Sequence, residues 1–133
     1  ILDAGGRDST ALRAALTVSD AVLIPFLPRT FDVWAFNDIA ALLEDTRAVH
    51  DIRALAFLNA ADPQGADNED ARAAVAEYPG IELLPHRLSR RKAFAHASGA
   101  GLHVEEYRPR DPRACEEFAA LQQAVLDLVA ASI

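Results

Sequence analysis

The sequence predicts an α/β fold: a mostly parallel sheet flanked by helices. Two observations predict it. Short, almost wholly apolar runs recur at residues 21–28, 53–59 and 81–85, as expected of strands buried on both faces. Between them lie stretches whose apolar residues return at helical spacing. Strand and helix alternating over short connections is the signature of βαβ units.

Taken in order, Ile1-Leu2-Asp3 reads as the stub of a strand that stops at Gly5-Gly6. Asp8 or Ser9 can cap a helix through Leu12, Ala15, Leu16 and Val18. The block AVLIPFLP, 21–28, is a strand. Residues 32–48 set Trp34, Ile39, Leu42 and Leu43 at helical spacing, with Trp34 expected in the core or an interface. RALAFLN, 53–59, is a second such strand. Asp67 or Asn68 can cap a helix through Ala76, which Tyr78-Pro79-Gly80 stops. IELLP, 81–85, is the next strand, and LHVEEY, 102–107, a weaker one. The last helix follows Asp111-Pro112, with proline in its first turn and Phe118, Leu121, Val125, Leu128 and Val129 in one stripe. No repeat or linker divides the chain, so residues 1–133 read as a single α/β domain, or the later part of one.

Composition narrows the function. A net charge of −7 argues against a protein that coats nucleic acid with its whole surface, but allows a local basic patch. The single cysteine, Cys115, forms no internal disulfide, reads as a buried structural thiol and fits an intracellular setting. No apolar run reaches the roughly 18 to 20 residues that span a bilayer. His50, His86, His96 and His103 show no metal-ligand spacing. Ser9 and Thr10 lie outside any G-x-S-x-G elbow.

In open parallel sheets the functional crevice lies at the carboxyl ends of the strands. Those ends read Asp3-Ala4-Gly5-Gly6, then Pro25 to Pro28 with Arg29-Thr30-Phe31-Asp32 following, then Asn59-Ala60-Ala61-Asp62-Pro63, then Pro85-His86-Arg87. A carboxylate ending a buried strand can hold Mg²⁺ directly or through water, and glycines after it let a phosphate approach the backbone. Asp3 can equally cap the turn that follows. No G-x-x-x-x-G-K-[ST] cradle occurs in the chain. Gly99-Ala100-Gly101 has no Lys-Ser or Lys-Thr after it, and Gly101 reads as a turn into the last strand.

The run ILDAGGRDSTALRAALTVSDAVLIPFLPRTFDVWA resembles the middle of a ParA-type partition ATPase, of the deviant Walker P-loop class that includes MinD-like proteins. Asp3 matches the family's Walker B aspartate, and Ser19-Asp20 through Pro28 its SD-apolar-Pro strand. Asp32 matches an acidic residue that often follows. LSRRKAFAHASGAGLHVEE resembles the closing pattern of basic residue, short helix, glycine and Val-x-Glu. The resemblance covers nearly the whole chain, and implies a P-loop NTPase-like fold whose N-terminal strands and P-loop lie upstream of Ile1.

It also implies a cytoplasmic, nucleoid-associated ATPase of plasmid or chromosome partition. ATP and Mg²⁺ would be the cofactors, with Asp3, Gly5 and Gly6 at the metal and γ-phosphate. Asn59 and Pro85 would lie at the base, although Asn59 can equally cap its own loop. The partners implied are a ParB-like centromere-binding adaptor, a second copy of the chain in an ATP-bound homodimer, and non-specific DNA. Arg87, Arg90, Arg91 and Lys92, the dense basic cluster, would contact DNA phosphate, with Arg91 the most family-like position; the alternative is a solvated helix start with arginines paired to acids.

Other classes fit less well. A MinD-like membrane regulator wants a basic amphipathic tail, and AVLDLVAASI has no Lys or Arg. A small ATP-dependent ligase of the same class is a further alternative. A receiver-like signalling module with Asp3 as phosphoacceptor wants a lysine near its last strand, and Lys92 follows the wrong one.

Overall fold

The computed structural model describes residues 1–5 and 9–132. Strands β1 (Ala21–Phe26), β2 (Arg53–Ala61) and β3 (Glu82–Ser89) form a three-stranded sheet in the order β1-β2-β3, with both pairings parallel. Helices α1 (Thr10–Val18), α2 (Val33–Arg47), α3 (Ala66–Ala76), α4 (Lys92–Gly99) and α5 (Pro112–Ser132) complete the described elements. The α/β class and the parallel sheet are as the apolar runs predict.

The central strand explains the layering. Alternate residues of a strand face opposite ways. Ala54, Ala56 and Leu58 enter a core with Leu16 of α1, Leu42 and Leu43 of α2, and Val75 of α3. Leu55 and Phe57 enter a second core with Leu84 and Leu121, closed by Leu88, Val125 and Leu128. The middle of β2, residues 54–58, is therefore apolar without interruption because helices cover both of its faces. A third cluster joins Ala93, Val104, Ala114 and Cys115, with Phe94, Tyr107 and Phe118 around it. Cys115 is buried there, its thiol 3.9 Å from the Val104 carbonyl.

Local signals place the helix ends. The Ser9 hydroxyl accepts from the Leu12 N–H at 3.1 Å and caps α1; the alternative cap, Asp8, lies outside the described residues. The Asp32 carboxylate accepts from the N–H groups of Trp34 and Ala35 at 3.0 and 3.1 Å and caps α2. Asp111 accepts from Ala114 N at 3.1 Å at the start of α5.

Several expectations are corrected. Ile1-Leu2-Asp3 is not in a strand, and Ile1 and Leu2 are exposed. Residues 102–107 form no strand. Gly101 turns there at φ +68°, His103 Nδ1 accepts from Glu105 N, and the Glu106 carboxylate accepts from His103 N. These side-chain bonds bend the backbone, and the segment's apolar signal is spent on the buried Val104. α3 is capped neither by Asp67 nor by Asn68; its N-cap is Gly65, and both candidates lie inside the helix. Trp34 is 81% exposed, so it is not a core residue.

β3 also continues past Pro85. Ala56 pairs with Leu83 but Leu58 pairs with Arg87, so β3 takes up extra residues around Pro85 in a bulge. Proline lacks the N–H that a regular ladder uses, and an outer strand with a bulge tolerates it.

Candidate functional site at the carboxyl edge of the sheet

The charged groups of interest gather where the three strands end. β1 runs out into a loop anchored by Phe31. Its ring lies 6.0 Å from that of Phe26 and 5.3 Å from that of Phe36. This packing fixes the loop that carries Arg29. At the end of β2, Ala60 takes φ +49°, and the Asn59 side-chain oxygen accepts from the Ala60 N–H at 3.0 Å. At the end of β3 the Arg90 N–H donates to the Ala61 carbonyl at 2.9 Å.

Asp62 sits at the centre of this edge. It is 4% exposed, and its backbone is clasped by Asn68, whose side chain accepts from Asp62 N at 3.1 Å and donates to Asp62 O at 2.9 Å. Two arginines from different loops meet its carboxylate. Arg29 Nε donates to Oδ2 at 2.8 Å, and Arg90 Nη2 lies 3.8 Å from Oδ1. A buried carboxylate needs such partners, because desolvating it alone is costly. Arg29 also lies 3.9 Å from the exposed Asp67. Arg29 and Arg90 nonetheless keep 59% and 60% side-chain exposure.

A second carboxylate organises the neighbouring turn. Glu117 of α5 accepts from Ser89 N at 2.9 Å and Ser89 Oγ at 2.8 Å, and from Arg91 Nη2 at 2.8 Å and Nε at 3.3 Å. Partial burial works against the charged carboxyl, but the bonds from Arg91 and Ser89 outweigh it and hold Glu117 below the usual glutamate range. The bond to Glu117 in turn holds the Arg91 guanidinium more firmly protonated, against its own partial burial.

The sequence-predicted residues fall in several places. Asp3 and Gly5 are exposed, and no atom lies within 4 Å of where a Cβ on Gly5 would sit. Gly6 lies outside the described residues. Asn59 stands inside β2, near its end, rather than at its last residue. Pro85 lies in the middle of β3 on an exposed position, so the strand-end placement expected of it is corrected. Arg87 is exposed within β3, and Lys92 is exposed at the first residue of α4. Arg91, by contrast, is 24% exposed and committed to Glu117.

Sequence reading gave no role to Arg29, Asp62 or Glu117. Arg29 and Asp62 both lay at strand ends, which was the available signal, but a pairing across 33 residues is not visible in one dimension. Glu117 carried no signal.

At the opposite edge an open concavity of about 490 Å³ is lined by Asp20, Arg47, Asp51, Ile52 and Arg53. Its arginines are tied into the fold. Arg47 donates to the carbonyls of Ile52 and Gly80, and Arg53 pairs with Glu82 at 2.9 Å.

No protein-family profile matches the chain. It is similar to the maintenance of carboxysome distribution protein A of Halothiobacillus neapolitanus, at 26% identity over 108 residues. The match covers 80% of this chain and 50% of that protein, so the chain spans about half the length of the curated relative it matches.

Proposed function

We propose that this chain is part of an ATPase that positions or partitions a cargo, of the ParA-like, deviant Walker kind. What carries the reading is a likeness along 80% of the chain to a protein named for maintaining carboxysome distribution. The parallel α/β sheet, with charged groups at its carboxyl edge, is compatible with it.

In this reading Asp3 is the metal-side carboxylate, and Gly5 and Gly6 lie beside the terminal phosphate. Asn59 and Pro85 serve the base, and Arg87, Arg90, Arg91 and Lys92 are the candidate DNA contacts. Asp3 offers one exposed hard oxygen of the kind Mg²⁺ takes beside water and phosphate oxygens, and among the described residues no cluster of three metal-ligating side chains joins it. Mg-ATP, when bound, supplies the transferable phosphoryl group and neutralises its charge. Of these residues, Asn59 and Arg90 lie at or next to the carboxyl edge of the sheet. Dimerisation with ATP, a ParB-like adaptor, non-specific DNA and a nucleoid location complete the proposal. Among the described residues no helix is long and apolar enough to cross a membrane.

Equilibrium binding of a fluorescent ATP analogue to the full protein, with and without Mg²⁺, tests the reading. Mg²⁺-dependent binding that weakens about tenfold or more in Asp3→Ala is expected, the scale of one lost metal contact. Binding indifferent to Mg²⁺ and to the substitution refutes it.

A further inference from the structure

We infer that the turn at residues 102–107 is a pH-sensitive latch between α4 and α5, and that His103, not His96, is the group on which acid acts. Val104, within the turn, is 6% exposed and packs with Ala93 of α4 and with Ala114 and Cys115 of α5. The turn closes this third core cluster. The Cys115 thiol lies behind it, 3.9 Å from the Val104 carbonyl.

Two histidines border the turn, and their bonds respond differently to a proton. The Glu105 backbone N–H donates to His103 Nδ1 at 3.0 Å. A backbone N–H can only donate, so Nδ1 carries no proton and the ring is neutral, with its hydrogen on Nε2. Protonation puts an N–H at Nδ1, donor against donor, and that bond is lost. His96 Nδ1 lies 2.9 Å from the Tyr107 hydroxyl. A tyrosine hydroxyl donates or accepts, so this contact survives in either protonation state.

The groups around His103 give a protonated ring somewhere to turn. The side chain is exposed, and α5 meets it with Phe118, edge to face at 5.0 Å. Within the loop, the Glu106 carboxylate accepts from His103 N at 2.8 Å, and Glu105 lies 3.5 Å from Arg110. Arg108 is turned to the carbonyls of Glu105 and Tyr107, and Asp111 is occupied in capping α5. A charged ring that swings from the Glu105 N–H towards Glu106 competes with the His103 N–H for that carboxylate. It therefore loosens a second bond of the turn. The closed turn excludes a proton from Nδ1 and the open turn accepts one, so falling pH favours the open form. Histidine changes charge in mild acid, which sets the range of the signal.

Thiol labelling of Cys115 in the full protein, with the modified residue identified by mass spectrometry, reads the latch between about pH 8 and pH 5. Each rate is divided by that of the urea-unfolded protein at the same pH, which removes the thiol's own pH dependence. The normalised rate is expected to rise several-fold in acid, on the scale of one hydrogen bond. His103→Asn keeps a side-chain acceptor for the Glu105 N–H and does not titrate, so its labelling should stay slow and flat with pH. His103→Ala has no acceptor and should label fast throughout. His96→Gln should retain the wild-type rise. Hydrogen exchange should show the Glu105 amide losing protection in acid while the amides of β2 keep theirs.

A wild-type rate that stays flat into acid overturns the latch, as does a rise that persists in His103→Asn. A rise abolished by His96→Gln moves the sensor to the other histidine and overturns the assignment. Loss of β2 protection in step with Glu105 would mean global unfolding in place of a local release, and overturns it too.

Discussion

Glu117→Gln isolates the clasp that joins α5 to the end of β3. Glutamine keeps the shape but has one acceptor oxygen and no charge. If its oxygen takes the Oε1 position, it still faces Ser89 Oγ and both Arg91 donors, while its NH₂ group faces the Ser89 N–H, donor to donor. One backbone donor then loses its partner, at about 1 kcal/mol, and the two arginine bonds lose charge assistance, at about 1 kcal/mol more. The side chains are only 24% and 22% exposed, so solvent recovers little of this. A loss of about 2 kcal/mol follows, or about 8 °C in melting temperature for a domain of this size.

The pH dependence supplies an independent check. Glu117 is held below its ordinary value of 4.5, so the unfolded chain takes up that proton first as pH falls. The clasp's contribution is complete above that ordinary value and is lost as pH drops through the lower, folded one. Glutamine does not titrate. The gap in stability between wild type and variant, measured by urea unfolding at a series of pH values, should narrow in acid. A gap below about 0.5 kcal/mol at neutral pH would refute the reasoning, since surface substitutions fall in that range; so would a gap that stays constant into acid.

Three further substitutions probe the frame. Leu58→Ala removes a side chain with no exposure from the core beneath α2 and α3, and should cost about 3 kcal/mol by urea denaturation. Asp32→Ala deletes the acceptor for two N–H groups at the start of α2, and should cost about 1 kcal/mol, read from the thermal midpoint. Gly101→Ala meets no neighbour within 4 Å but must hold φ +68°, so calorimetry should show a purely backbone cost of about 1 kcal/mol.

The sheet was legible because double-sided burial leaves a one-dimensional trace: RALAFLN feeds two cores by turns. The errors arose where one residue imitated a pattern. The segment 102–107 read as a strand, although a single plug, Val104, meets the core while polar side chains bend the chain around it. Pro85 read as a strand end because proline breaks a regular ladder, but a bulge on an outer strand absorbs it. The ends of β1 and β2 were legible to within two residues. The wiring of the carboxyl edge was hidden, because Asp62 draws its partners from the ends of two other strands and Glu117 reaches back from the last helix.

That last helix is fastened at both ends of the sheet. Near its start Glu117 grips Ser89 and Arg91 at the carboxyl edge. Near its finish the Leu128 carbonyl accepts from Arg53 Nη1, 2.9 Å away, at the amino end of β2. At 1.5 Å per residue these fastenings stand roughly 16 Å apart. A slide of α5 along the strands by even one residue would break both, together with the apolar seam between them. Helix and sheet are thereby coupled at both ends, whereas the loop after β1 reaches the end of β2 through one side-chain pair, Arg29 and Asp62.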